Sequence, residues 1–91
     1  MTCHYFAAFC LPMPRAADEG PRIGFTLPRA FGKANKRNRA KRRLRELLRV
    51  RLGQLDPRLD LVINPRRPAL DALPRDLQRE IERLISRCNQ L

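Results

Sequence analysis

Apolar residues fall into five blocks along the chain, and their period changes from block to block. Residues 3–11 are a short aromatic-rich run closed by Pro12 and Pro14, which predicts a buried strand. Arg22-Ile23-Gly24-Phe25-Thr26-Leu27 is a second strand-like run, stopped by Pro28. Between them, Pro12 to Pro21 holds three prolines, Gly20 and two acids, which is the composition of a connector. The two runs are predicted to pair as neighbouring antiparallel strands. From about Asn35 to Leu52 the period becomes helical: Ala40, Leu44, Leu47, Leu48 and Leu52 make one stripe, and Gly53 stands where a helix commonly stops. Asp60-Leu61-Val62-Ile63-Asn64 is a third strand, closed by Pro65 and Pro68, whose unbroken apolar centre predicts burial on both faces. Pro74 to about Asn89 carries Leu77, Ile81, Leu84, Ile85 and Cys88 on one stripe of a second helix. Pro74 suits its first turn, and Asp76 sits near the positive end of its dipole.

Charge changes this picture at one place. Between Arg29 and Arg51 there are eleven Lys or Arg and one acid, Glu46, a local balance of +10 out of a net +11. On a wheel of about 100° per residue, Asn38, Arg39, Arg42, Arg45, Glu46 and Arg49 lie opposite the leucine stripe. Charges that serve solubility are mixed in sign and suit the helix dipole. Lys36, Arg37 and Arg39 instead crowd the first turns, where the partial positive charge of the helix favours anions. An external polyanion removes the conflict, because phosphates at a helix start meet backbone N–H groups, dipole and cations together. Arginine, with its planar fork, suits phosphate and bases. In the last helix Arg79, Arg83 and Arg87 alternate with Glu80 and Glu82, the pattern of a solvated face.

The remaining chemistry excludes more than it suggests. At 91 residues the chain is predicted as one domain, 1–91, with a small core. Cys3, Cys10 and Cys88 lack the paired spacings of zinc sites and only His4 could join them, so they are predicted as buried reduced thiols in a reducing compartment. The run Tyr5 to Leu11 has no cation before it and is far short of the ~20 residues that cross a bilayer. A membrane helix would carry a broader apolar face than the basic one does. One histidine, no nucleophile beside a base and no acidic pair leave no catalytic constellation. DNA stays possible for a basic helix, although no helix-turn-helix, zipper or zinc framework is visible. RNA is favoured by Tyr5 and Phe9 on one face of the first strand, with Phe6 on the other, since aromatics on a sheet stack on unpaired bases. The same aromatics also suit plain core packing.

Three features in order narrow the choice: the strand Arg22–Leu27, the turn Arg29-Ala30-Phe31-Gly32-Lys33-Ala34, and the helix start Arg37-Asn38-Arg39-Ala40-Lys41-Arg42-Arg43-Leu44-Arg45-Glu46. Together they closely resemble the protein component of bacterial ribonuclease P. That resemblance implies an α/β two-layer sandwich of order α-β-β-β-α-β-α, a small mixed sheet packed with helices, with a left-handed crossover through the Arg-Asn-Arg helix. It implies a cytoplasmic endoribonuclease component that joins a catalytic RNA subunit and assists removal of the 5′ leader from precursor tRNA. The RNA does the chemistry with Mg²⁺; the protein has no intrinsic cofactor and needs no protein oligomer.

By motif position the resemblance places Arg37, Asn38, Arg39, Lys41, Arg42 and Arg45 against RNA, with Gly32 and Lys33 shaping the approach. Lys36 and Arg49 extend that face. Ala7, Phe9 and Thr26 would floor a cleft for the single-stranded leader. The family's N-terminal helix and a further strand have no counterpart ahead of Tyr5, so the protein either starts upstream or lacks one wall of that cleft. Asn35, where an aliphatic residue is usual, either weakens the turn or caps the helix. A small basic ribosome-associated RNA-binding protein is the alternative.

Overall fold

The computed structural model describes residues 1–12 and 20–90. Their order is β1 (Phe6–Pro12), β2 (Arg22–Phe25), α1 (Ala34–Arg49), β3 (Leu59–Pro65) and α2 (Pro74–Cys88), with single 3-10 turns at Arg29–Phe31, Leu52–Gln54 and Arg67–Leu70. Most of the predicted connector lies outside the described residues.

The three strands form one mixed sheet in the order β1-β3-β2. β1 runs antiparallel to β3 with Phe9 opposite Val62, and β2 runs parallel to β3 with Gly24 opposite Val62. The predicted pairing of the first two strands is therefore corrected: they are antiparallel in direction, but β3 lies between them. A parallel partner cannot follow through a tight turn. Helix α1 supplies the crossover from β2, and it delivers β3 into the central position.

One face of the sheet is covered. Phe6 and Ala8 of β1, Leu59, Leu61 and Ile63 of β3, Leu44 and Leu48 of α1, and Leu77, Ile81, Leu84, Ile85 and Cys88 of α2 share one buried cluster. The other face is open. β3 accordingly alternates, Leu59, Leu61 and Ile63 inward and Val62 outward and half-buried, which corrects the expectation of burial on both faces. Tyr5 precedes β1 and packs half-buried against the core cluster, so it is not the exposed stacking platform predicted from alternation.

Helix α1 also ends earlier than predicted. It stops at Arg49, where Arg51 Nη1 donates to Leu47 O at 2.8 Å and a 3-10 turn takes the chain onward. Gly53 lies in that turn and has no left-handed backbone conformation. α2 matches its predicted span, with Pro at its start and Asp76 in the first turn. Of the cysteines only Cys88 is fully buried. Desolvation, and then the neighbouring Cys88 thiol, push the half-buried Cys10 thiol up to about 12. No helix among the described residues is long and apolar enough to cross a membrane.

Candidate nucleic-acid interface

The basic helix begins at a turn that only glycine fits comfortably. Gly32 has φ 149°, where an L side chain is strained, and a Cβ there would meet Lys36 Cδ at 3.3 Å. Lys33 is the N-cap but offers no side-chain acceptor, and no acid stands in the first turn. Asn35 does part of that work, as its Oδ1 accepts the N–H of Lys36 at 2.9 Å. The helix start thus presents backbone donors beside exposed Lys33 and Lys36 and half-buried Arg37.

Beyond the start, every predicted outward residue is outward: Asn38, Arg39, Arg42, Arg45 and Arg49 are all exposed, while Ala40, Leu44 and Leu48 are buried. Arg37 and Lys41 lie on the flank that leans over β2. With Asn38 they line one side of a groove of about 310 Å³ whose other side is Phe25 and Leu27. Arg37 Nε is buried there without a hydrogen-bond partner. Further along, the Arg45 guanidinium sits over the Phe25 ring, 5.7 Å from its centre, within cation–π range.

Carboxylates do little to neutralise this face. Among the described residues, Glu46 engages one of the predicted contact cations, Arg49, at 3.0 Å in a well-exposed pair. Such pairs contribute roughly 0.3–0.5 kcal/mol, too little to prevent exchange for a phosphate.

The open sheet face holds the second predicted set. Phe9 is 60% exposed whereas Phe6, on the opposite face, is 0% exposed, so the two aromatics of β1 divide between floor and core. The register lays Ala7 beside Asn64, and Phe9 beside Val62, which has Gly24 on its other side. Thr26 is exposed just past β2, and its N–H donates to Ile63 O at 2.9 Å. Nothing lies within 4 Å of where a Gly24 Cβ would be, so the floor is shallow and open. Arg22 and Asn64 also belong to this face, by their registers with Asp60 and Ala7. Sequence reasoning missed both, since register is set by long-range pairing.

The structure does not merge the two sets into one pocket. They lie on opposite faces of the sheet, with β2 as the edge strand between them.

Arg43, in the same basic run, differs from its neighbours. It is half-buried, and its guanidinium donates to the backbone carbonyls of Ala69, Leu70 and Ala72. Its place beside Leu47 on the helical wheel was the available signal.

Comparison with known proteins decides the family. The family model described as Ribonuclease P matches residues 2–89. The chain belongs to the ribonuclease P protein-component family. Similar family members include the ribonuclease P protein component of Symbiobacterium thermophilum, 36% identical over 85 residues that cover 93% of this chain and 74% of that one. That of Finegoldia magna is 40% identical over 62 residues, 68% of this chain and 55% of that one. The chain spans 55% and 61% of the length of the Finegoldia and Nocardioides ribonuclease P proteins. Among solved structures, the RNase P protein from Thermotoga maritima superposes with a TM-score of 0.80 at 25% identity, covering 96% of this chain and 80% of that one. The ribonuclease P fold, a small mixed three-stranded sheet with two helices, is thus shared.

Proposed function

We propose that this ribonuclease P family member binds the catalytic RNA of the holoenzyme through α1 and the 5′ leader of precursor tRNA across the open sheet face. It thereby assists RNA-catalysed leader removal. The observation that carries this reading is the outer face of α1: Arg39, Arg42 and Arg45 stand exposed with no carboxylate partner among the described residues, and they continue the cations Lys36 and Arg37 of a helix start that carries no acid. Phosphate oxygens supply the missing negative charge, with arginine forks and helix-start amides as donors. The floor of Ala7, Phe9, Val62 and Thr26 presents an exposed aromatic ring at Phe9, and it suits single-stranded RNA that stacks one base there.

In this reading the protein does no bond chemistry. Mg²⁺ belongs in this reading to the RNA subunit, as the family resemblance implies. The cations of α1 lower the repulsion between RNA subunit and substrate, and less Mg²⁺ is then needed for the same rate. The test is reconstitution with a bacterial ribonuclease P RNA at low Mg²⁺. Stimulated leader removal is expected. Tight RNA binding without stimulation would favour a ribosome-type RNA-binding role, and cleavage by the protein freed of RNA would point to a self-sufficient nuclease.

A further inference from the structure

Of the first six residues of α1, Ala34 to Arg39, none is fully buried and Arg37 alone is half-buried, beside Phe25 and Leu27; the first fully buried residue of the helix is Ala40, followed by Leu44 and Leu48. The segment that carries Lys36, Arg37, Asn38 and Arg39 therefore projects beyond its own apolar anchors. Ala34 lies about 9 Å along the axis from Ala40 at 1.5 Å per residue, so a tilt of roughly 10° about Ala40 would move the helix start by about 1.5 Å. That is beyond the ~0.5 Å tolerance of a preorganised contact set.

Two arginines outside the predicted contact set oppose such a tilt. Arg67, in the turn after β3, donates from Nε to Phe31 O at 3.1 Å and from Nη2 to Ala30 O at 3.0 Å. Both acceptors belong to the 3-10 turn that leads into α1. In the opposite direction, Arg43 of α1 donates from Nη1 to Ala69 O and Leu70 O at 2.6 and 2.7 Å and from Nη2 to Ala72 O, around the turn that carries Arg67. Arg67 thus ties its turn to the turn ahead of α1, and Arg43 ties α1 itself to the turn of Arg67. Neither has a carboxylate partner among the described residues, so all of the donors engaged go to backbone. A guanidinium that holds two carbonyls fixes an orientation as well as a distance, which an ammonium on a flexible stem cannot do.

We infer that Arg67 and Arg43 are positioning residues, which set the direction of the α1 start and so hold its cations in register for the phosphates of the RNA partner. This rests on the proposed function for its RNA arm. Phe31, buried under the same turn, supplies the apolar seat, and Arg67 keeps the turn on it.

The test is Arg67→Lys in the full chain, with Arg66→Lys as the control. Both keep the charge, and Arg66 makes one exposed contact, to Cys3 O. Two quantities are measured well below the unfolding midpoint: amide hydrogen exchange at residues 36–39, and affinity for ribonuclease P RNA against salt. For Arg67→Lys we expect exchange at 36–39 to quicken while 44–48 stays protected. RNA affinity should fall roughly tenfold with a shallower salt dependence, as more than one phosphate contact slackens. Arg66→Lys should leave both unchanged. Unchanged exchange at 36–39 overturns the inference, and it needs no RNA, so it remains decisive even if the wild-type protein fails to bind the RNA and the functional reading falls. Retained affinity and slope, or a loss that only follows the unfolded fraction, also overturns it.

Discussion

The two helices are nearly equal in length, pack on the same face of the sheet, and obey opposite local rules. α2 has Pro at its start, Asp76 in the first turn, Arg87 in the last, an Arg83–Glu80 ion pair at 2.9 Å and five buried side chains. α1 has no acid in its first turn, a single acid, Glu46, among its cations and three buried side chains, whereas the two helices share an N-cap without a capping side chain, a basic last turn and one Glu–Arg pair. α2 is what a helix looks like when stability alone shapes it. α1 departs from that pattern on its outer face and at its start, while its inner stripe stays ordinary, and this departure is what supports the proposed RNA-binding face.

The comparison breaks first at the shared inner stripes. Ile81→Ala in α2 and Leu44→Ala in α1, both fully buried, should each cost about 2–5 kcal/mol in chemical denaturation. A small loss at Leu44 would mean that α1 is not seated in the core as α2 is. The outer faces should then separate the helices. Arg42→Ala and Arg39→Ala should each lower RNA affinity roughly tenfold while stability stays within about 0.5 kcal/mol. Arg79→Ala, the same change on α2, should alter neither.

A subtler change makes α1 resemble α2. Asn35→Asp keeps the acceptor for the Lys36 N–H and places an acid in the first turn, so stability should rise by about 0.3–1 kcal/mol while RNA affinity falls. A gain in both would show that the helix start is not an anion site. The smallest effect at neutral pH belongs to Cys10 beside α2. Its folded thiol is raised above the ordinary value, so its contribution is whole below pH 9 and is lost as pH rises towards about 12. Cys10→Ala should therefore lose less stability than wild type across that window in thermal melts.

Much of this was legible in the sequence because the signals were local. The stripe Ala40, Leu44, Leu48 and the run from Leu77 to Cys88 announce helices and their buried faces. The outward set from Asn38 to Arg49 follows from the same geometry. The sheet order did not, because no local feature says that β3 will slide between β1 and β2; the crossover through α1 decides that. Val62 misled for a related reason: it interrupts the inward alternation of Leu61 and Ile63 only because it faces the floor beside Phe9 and Gly24. Gly53 looked like a helix stop, yet the side chain of Arg51 and a 3-10 turn end the helix first. Arg43 and Arg67 were hidden by their identity with the cations around them. A guanidinium that meets carbonyls and one that meets water are the same letter: the place of Arg43 beside Leu47 on the wheel is a local hint, and for Arg67 the turn brought against α1 tells them apart.

The central claim is that the outer face of α1 exists to hold RNA phosphates, and the salt dependence of binding tests it most directly. If about 6 to 10 phosphates are engaged, affinity for ribonuclease P RNA should fall by roughly 10³ to 10⁵ between 50 and 200 mM salt, by an estimate taken from duplex DNA. The decline should become shallower when Arg39 and Arg42 are both replaced by alanine. An affinity that hardly changes with salt, or a decline that the double replacement leaves untouched, would contradict the account.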